Sequence, residues 1–252
     1  MTPQGSECHG NFLSWHSVLC GAIALPLATN RTQACTGLVG LKSSLILREC
    51  RGNHPPPCIY PTHLEILKPL RDSDIPLLYT PGNHDCYVTR PQCVAAVKHA
   101  VEYLSCGRYT FDTLPSSVVF DGVEFLIVNT SAPSNLLCSW GFLTSENRDF
   151  IAEKCANSPD VPKILVTHYP MYEDHPILRI RHRLFGQKPV ISLLESKQLD
   201  LVLCGHVHKP SLRVDESGRG ECISGSVTRN GTMMEIEYEK TARKFTFRTV
   251  EL

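Results

Sequence analysis

The chain has no excess of either charge. Its 25 Lys and Arg balance 25 Asp and Glu over 252 residues, for a formal net charge of zero. That balance, with no basic stripe, excludes binding driven by a broad electrostatic field, as at nucleic acid or a membrane surface. An anionic ligand must instead be met by a local site. The 12 cysteines include no CxxC pair and no repeated spacing, which argues against a zinc ribbon or a small disulfide scaffold. Several lie in apolar runs, as Cys204 does in LVLC, where cysteine acts as a small buried hydrophobe. A reduced, cytoplasmic protein is expected. Long uninterrupted apolar runs are lacking too. The best candidate, residues 12–28, has no Lys or Arg before it and is broken by Ser14, His16 and Pro26. It makes a poor spanning helix and a poor signal peptide, so no membrane span is expected.

Aspartate is missing from the whole first part of the chain, the earliest being Asp72. Residues 1–60 hold only six charged side chains but five of the cysteines, and they show no sustained periodicity. They run into His54-Pro55-Pro56-Pro57, and a proline run blocks both helix and ladder. These residues read as an atypical N-terminal segment, disordered or aberrant, ahead of a folded domain over 61–252.

Within that domain the pattern becomes regular. Residues 64–72 read as a short helix, 75–80 as a buried strand, and 92–105 as a helix with apolar residues at helical spacing. RYTFDT, SVVFD and VEFLIVNT read as strands, with Asp121-Gly122 marking a hairpin between the last two. Thr144 or Ser145 caps a helix running to about Ala156, and VISLLESKQ forms another just after Pro189. KILVTH, DLVLCGH and four strands from SLRVD to KFTFRTVE complete the chain. βα units followed by a β-rich end imply an α/β fold of stacked sheets flanked by helices.

Three short sequences sit where strands end. They are Gly82-Asn83-His84-Asp85 after LLYTP, Thr167-His168-Tyr169-Pro170 after KILV, and Gly205-His206-Val207-His208 after LVLC. Loops beyond the carboxyl ends of strands are where α/β sheets bind ligands. Neutral imidazole suits zinc, iron or manganese, and an asparagine carbonyl adds a hard oxygen donor. Two histidines at i and i+2 can reach two neighbouring ions. Asp85 can accept the second N–H of the adjacent His84 ring and fix its orientation. Arg179, Arg181 and Arg183 alternate between the second and third motifs and would share one face of an extended segment.

With these motifs in this order the chain resembles the calcineurin-like metallophosphoesterases, whose signature is D-x-H, G-D-x-x-[DN], G-N-H-[DE], a later His, and G-H-x-H. The resemblance covers about residues 61–252, includes GFLTSENRDFI and SGSVTRNG, and lies nearest the cyclic-nucleotide-phosphodiesterase-like branch. It implies a four-layer α/β/β/α sandwich with two mixed sheets, its N-terminal part atypical or incomplete. It implies that Asn83, His168 and His206 ligate one divalent ion and His208 a second. His84 would sit beside the scissile phosphate, stabilising the transition state or protonating the leaving oxygen, with Asp85 behind it. The implied cofactors are two divalent ions, Mn, Fe, Zn or Co. Such ions, about 3.5–4 Å apart, generate a bridging hydroxide and stabilise in-line displacement at phosphorus. The implied activity is metal-dependent hydrolysis of a phosphodiester or phosphomonoester. The implied partner is a small phosphoester, a nucleotide among the candidates, rather than nucleic acid.

The first two motifs of that signature, which supply an Asp, a His and a bridging aspartate, have no counterpart upstream of Gly82. One site keeps three neutral ligands and the other keeps His208. Two explanations stand. Residues 1–60 are not the native N-terminus, through a frameshift, a misassigned start or a splice error; or the domain is a catalytically impaired binding module lacking the N-terminal aspartate ligands. The first is the expectation.

Overall fold

The structure is a computed structural model that describes residues 12–17, 22–24, 68, 71–72, 77–86, 91–133, 139–173, 180, 182–226 and 231–251. Its strands are β1 (Phe12–Ser17), β2 (Ala22–Ala24), β3 (Leu77–Tyr79), β4 (Ser116–Phe120), β5 (Val123–Ile127), β6 (Gly141–Phe142) and β7 (Lys163–Val166). They continue as β8 (Leu184–Phe185), β9 (Leu201–Cys204), β10 (Ser211–Val214), β11 (Gly220–Ile223), β12 (Thr232–Glu239) and β13 (Lys244–Glu251). The helices are α1 (Asn83–Cys86), α2 (Pro91–Leu104), α3 (Ser145–Asn157) and α4 (Lys188–Glu195).

VEFLI, KILV and LVLC are apolar along most of their length and buried along their whole length. That is the signature of strands covered on both faces. They form the centre of a six-stranded mixed sheet in the order β10-β11-β9-β7-β5-β4. β5, β7, β9 and β11 run parallel, and β4 and β10 close the edges antiparallel. A second sheet has the order β13-β12-β1-β2-β3, antiparallel in each described pairing.

Successive residues of the central strands point to opposite faces, and the core divides accordingly. Phe125, Ile127, Ile164, Val166, Leu201 and Leu203 join Met234 and Ile236 of β12, Leu78 of β3 and Val101 of α2. Leu126, Leu165, Val202 and Cys204 join Ile151 of α3 and Val190 and Leu194 of α4. Two sheets are thus stacked, with α3 and α4 on the far face of the six-stranded one. Each fully buried Leu, Ile or Phe in such a core contributes about 1.5–3 kcal/mol.

Local chemistry sets the boundaries. Asp121 and Gly122 have φ of 47° and 80°, the two left-handed positions of a type I′ hairpin. The Thr144 hydroxyl accepts from the Asn147 N–H at 3.2 Å and starts α3, as its sequence predicts. α4 begins one residue before Pro189 rather than after it, because proline is tolerated in a first helical turn whose N–H groups have no partners. The strand expected over RYTFDT is instead a 3₁₀ turn at Phe111–Thr113. There the Thr113 hydroxyl accepts from the Thr110 N–H at 2.9 Å, a local bond that competes with a ladder. The short strands β6 and β8, paired in parallel, are too brief to have a readable period. Of the helix expected over 64–72, only residues 68 and 71–72 are described.

Candidate active site

Parallel β5, β7, β9 and β11 deliver their following loops to one sheet edge, and β3 delivers its loop to the same place. The Thr80 hydroxyl donates to the Val128 carbonyl at 2.8 Å, and the Ser131 hydroxyl donates to the Pro81 carbonyl at 3.0 Å. The two sheets are therefore stitched together beside Gly82. The Gly205 N–H donates to the His168 carbonyl at 3.1 Å, joining the loops after β7 and β9.

Gly82 has a steric reason. A Cβ there would come within 2.9 Å of His168 Cε1, so glycine lets the backbone pass against the imidazole. The next residues form the single turn α1. The Asp85 N–H donates to the Gly82 carbonyl at 3.1 Å. In return Asp85 Oδ2 accepts from the Gly82 N–H at 2.7 Å and from the Tyr79 hydroxyl at 3.1 Å. Asp85 thus shapes the turn that presents Asn83 and His84. The side chain of His84 lies outside the described residues, as do His175, Arg179 and Arg181.

Asn83 is buried, and its Nδ2 donates to Ser139 Oγ at 3.3 Å. That bond turns Oδ1 toward the histidines. His168 Nε2 lies 2.7 Å from Asn83 Oδ1, His206 Nδ1 lies 3.2 Å from it, and the two ring nitrogens are 3.1 Å apart. Three donor atoms from three loops therefore face one point. His206 is held in a strained loop: its φ is 65°, and the Val207 N–H donates to the Gly205 carbonyl at 2.8 Å across it. An i→i+2 bond around a residue with positive φ is a rare, strained turn. His208, half-buried, also has positive φ, 60°. Two left-handed non-glycine residues so close together, each costing about 1–3 kcal/mol, are the kind of outlier that clusters at working sites.

The donor set fits a divalent ion on geometry. Zn–N and Zn–O bonds of about 2.0–2.2 Å set at roughly right angles put ligand atoms about 3 Å apart, and the trio spans 2.7 to 3.2 Å. Protons on both ring nitrogens would set two N–H groups against each other around one carbonyl oxygen. Three lone pairs turned on a common cation avoid that conflict. The set is electrically neutral. Among the described residues, no group of three or more His, Cys, Asp or Glu side chains is gathered to hold an ion.

Besides Ser139, two further supporting residues are not signalled by the sequence. His182 Nδ1 lies 2.9 Å from His206 Nε2, so the nitrogen of His206 turned away from the trio meets a ring of its own type. Such a partner fixes tautomer and orientation. Its only signal was a histidine between Arg181 and Arg183. Glu221, on β11, is buried and accepts from the Met171 N–H, holding the loop that begins with His168. Burial pushes its carboxyl up to about 7, against the lowering effect of the Met171 and Tyr172 backbone bonds. A lone Glu in ECISG carried no hint of this. Tyr169, fully buried, lays its ring 4.2 Å from that of His206. The five cysteines whose side chains are described, Cys86, Cys106, Cys155, Cys204 and Cys222, are unbridged. Among the described residues no helix is long and apolar enough to cross a membrane.

Comparison with known proteins bears on this geometry. No curated protein sequence matches the chain. Among solved structures, the chain is similar to TT1561 of Thermus thermophilus, with a TM-score of 0.44 and 15% identity over 75% of this chain and 77% of that one. It is also similar to PhoD, with a TM-score of 0.36 and 12% identity over 68% of this chain and 52% of that one. A family model for calcineurin-like phosphoesterases matches residues 50–210, a span that takes in Asn83, His168, His206 and His208. With well over half its length matched, and with the three motifs meeting at one sheet edge, this chain belongs to the calcineurin-like phosphoesterase family, a family of phosphoester hydrolases.

Proposed function

We propose that the chain hydrolyses small phosphoesters at a dinuclear centre where Asn83, His168 and His206 hold one divalent ion and His208 contributes to a second. The observation that carries the reading is the convergence of Asn83 Oδ1, His168 Nε2 and His206 Nδ1 within 2.7 to 3.2 Å of one another. Divalent ions, when bound, polarise the phosphoryl oxygens and activate the attacking water. The chain's own residues do the rest. Asn83 is aimed by Ser139, His206 is oriented by His182, and α1 presents His84 as the group that protonates the leaving oxygen. Asp85 supports that turn through Gly82. Mn, Fe, Zn or Co suit a set of imidazole and amide donors.

The reading extends to a four-layer sandwich in which β1 and β2 join the strands of residues 61–252, to residues 1–60 as a segment apart in composition, to the cyclic-nucleotide-phosphodiesterase-like branch, and to the cytoplasm. Hydrolysis of a chromogenic phosphodiester with added Mn²⁺ tests it. Turnover should depend on the metal, and His84→Ala should lower kcat by about 10²–10⁴-fold, the usual contribution of a positioned proton donor. Turnover unchanged in His84→Ala would remove that role.

A second reading rests on a different observation. No aspartate precedes Asp72, and among the described residues no group of three or more His, Cys, Asp or Glu is gathered to hold an ion. A neutral donor set holds a dication weakly, which suits a catalytically impaired binding module. Absence of turnover with every divalent metal, alongside measurable Mn²⁺ binding, would favour it.

A further inference from the structure

The parallel ribbon of β6 and β8 has two unlike faces. Gly141 and Leu184, paired in register, turn inward. Leu184 is buried, and a Cβ on Gly141 would come within 2.4 Å of the Tyr169 ring. The residues alternating with them turn outward, and they are Trp140, Phe142, Arg183 and Phe185. Phe142 and Phe185 stack with centroids 5.3 Å apart and planes 12° apart. Trp140 meets Phe185 edge-on at 5.8 Å, and the Arg183 guanidinium lies 4.7 Å from the Phe185 centroid. The Trp140 Nε1–H donates to the Ile180 carbonyl at 3.0 Å, which fixes the indole. Even so, Trp140 is 36% and Phe142 40% exposed. Three aromatic rings gathered on one face, two of them more than a third exposed, form an apolar patch of the kind that marks a binding surface.

Both strands of the ribbon are tied to the donor trio two residues before they begin. Ser139, bonded to Asn83, directly precedes Trp140, and His182, in contact with His206, directly precedes Arg183. Consecutive Cα atoms are about 3.8 Å apart, so the aromatic face starts one residue from the side chains that position the ligands. A molecule with its phosphoryl group at the trio could lay a second group on this face. Stacked rings accept a flat π-system, and Arg183 complements an anion or a π-face. An aliphatic partner would be better served by branched side chains.

We propose that the outer face of β6–β8 is a nucleobase subsite, so that the substrates are nucleotides whose base stacks on Phe142 and Trp140 beside Arg183. This rests on the phosphoesterase reading for its orientation, but base stacking itself needs no metal. The test uses the full chain without metal and the monophosphate of 2-aminopurine riboside, whose fluorescence is quenched on stacking. Quenching is expected, with AMP displacing the probe at least about tenfold better than ribose 5-phosphate, the scale of one base–aromatic stack. Phe142→Ala and Trp140→Ala should each erase that preference, and Phe142→Leu, which keeps an apolar side chain but removes the ring, should do the same. Val119→Ala, at an exposed apolar residue on β4, should keep it. Mn²⁺-dependent hydrolysis of AMP and ribose 5-phosphate is measured in parallel. Ring-dependent binding without turnover of any phosphoester would leave the subsite standing and sink the phosphoesterase reading. Equal use of both compounds, with no quenching, would overturn the subsite while the phosphoesterase reading stands.

Discussion

Gly82 lies against the His168 ring so closely that a single methyl group would come within 2.9 Å of Cε1. Gly82→Ala should therefore push the imidazole away from Asn83 and destabilise the fold by about 1–3 kcal/mol, the usual cost of overpacking. Chemical denaturation of the two proteins measures it, and equal stability would show that the ring yields freely. His182 acts at one remove. His182→Ala should leave the fold intact but weaken Mn²⁺ binding by about 10–100-fold, as loss of an outer-shell partner does; calorimetric titration reads this directly. At this scale the trio was legible, because asparagine and histidine in short motifs after apolar strands have a recognisable chemistry. His182 was not. It belongs to the site through a contact across 24 residues, between ring nitrogens 2.9 Å apart, and nothing in its own neighbours announces that.

Among elements, β3 carries the first motif and is only three residues long. Its position depends on Tyr109, whose hydroxyl accepts from the Tyr79 N–H at 2.6 Å and donates to the Tyr79 carbonyl at 2.9 Å. One side chain thus replaces a ladder partner. Tyr109→Phe should cost about 1–3 kcal/mol, because both backbone groups stay buried without that bond; thermal unfolding monitors it. β11 gives a pH dependence. Burial raises the Glu221 carboxyl from 4.5 to about 7, so its ionisation is harder in the folded state. The associated stability is complete below pH 4.5 and is lost as pH rises through 7, about 3 kcal/mol in all. Glu221→Gln should flatten the stability profile between about pH 5 and 8, and an unchanged profile would contradict the assignment. The buried central strands and the Asp121-Gly122 hairpin were readable because apolar runs and left-handed turn residues are local signals. The 3₁₀ turn at Phe111–Thr113 was not, since β-prone residues there are overruled by the Thr110–Thr113 bond.

For the whole molecule, stacked sheets bring the loops of β3, β7 and β9 to one edge, and the calcineurin-like phosphoesterase model that matches residues 50–210 spans all three. The layered α/β class could be read from the order of βα units and late strands. The pairing of β12 with β1 and of β2 with β3 could not, because the first sixty residues carry no period from which a partner could be inferred. The donor set that results is neutral, and its strength toward a cation is the point on which catalysis turns. Titration of Mn²⁺ into the metal-free protein, beside His168→Ala, tests the account most directly. It predicts binding by the native chain that drops by at least about tenfold in the variant, where one of three convergent donors is gone. Equal binding by both proteins would contradict the assignment of Asn83, His168 and His206 as a metal site.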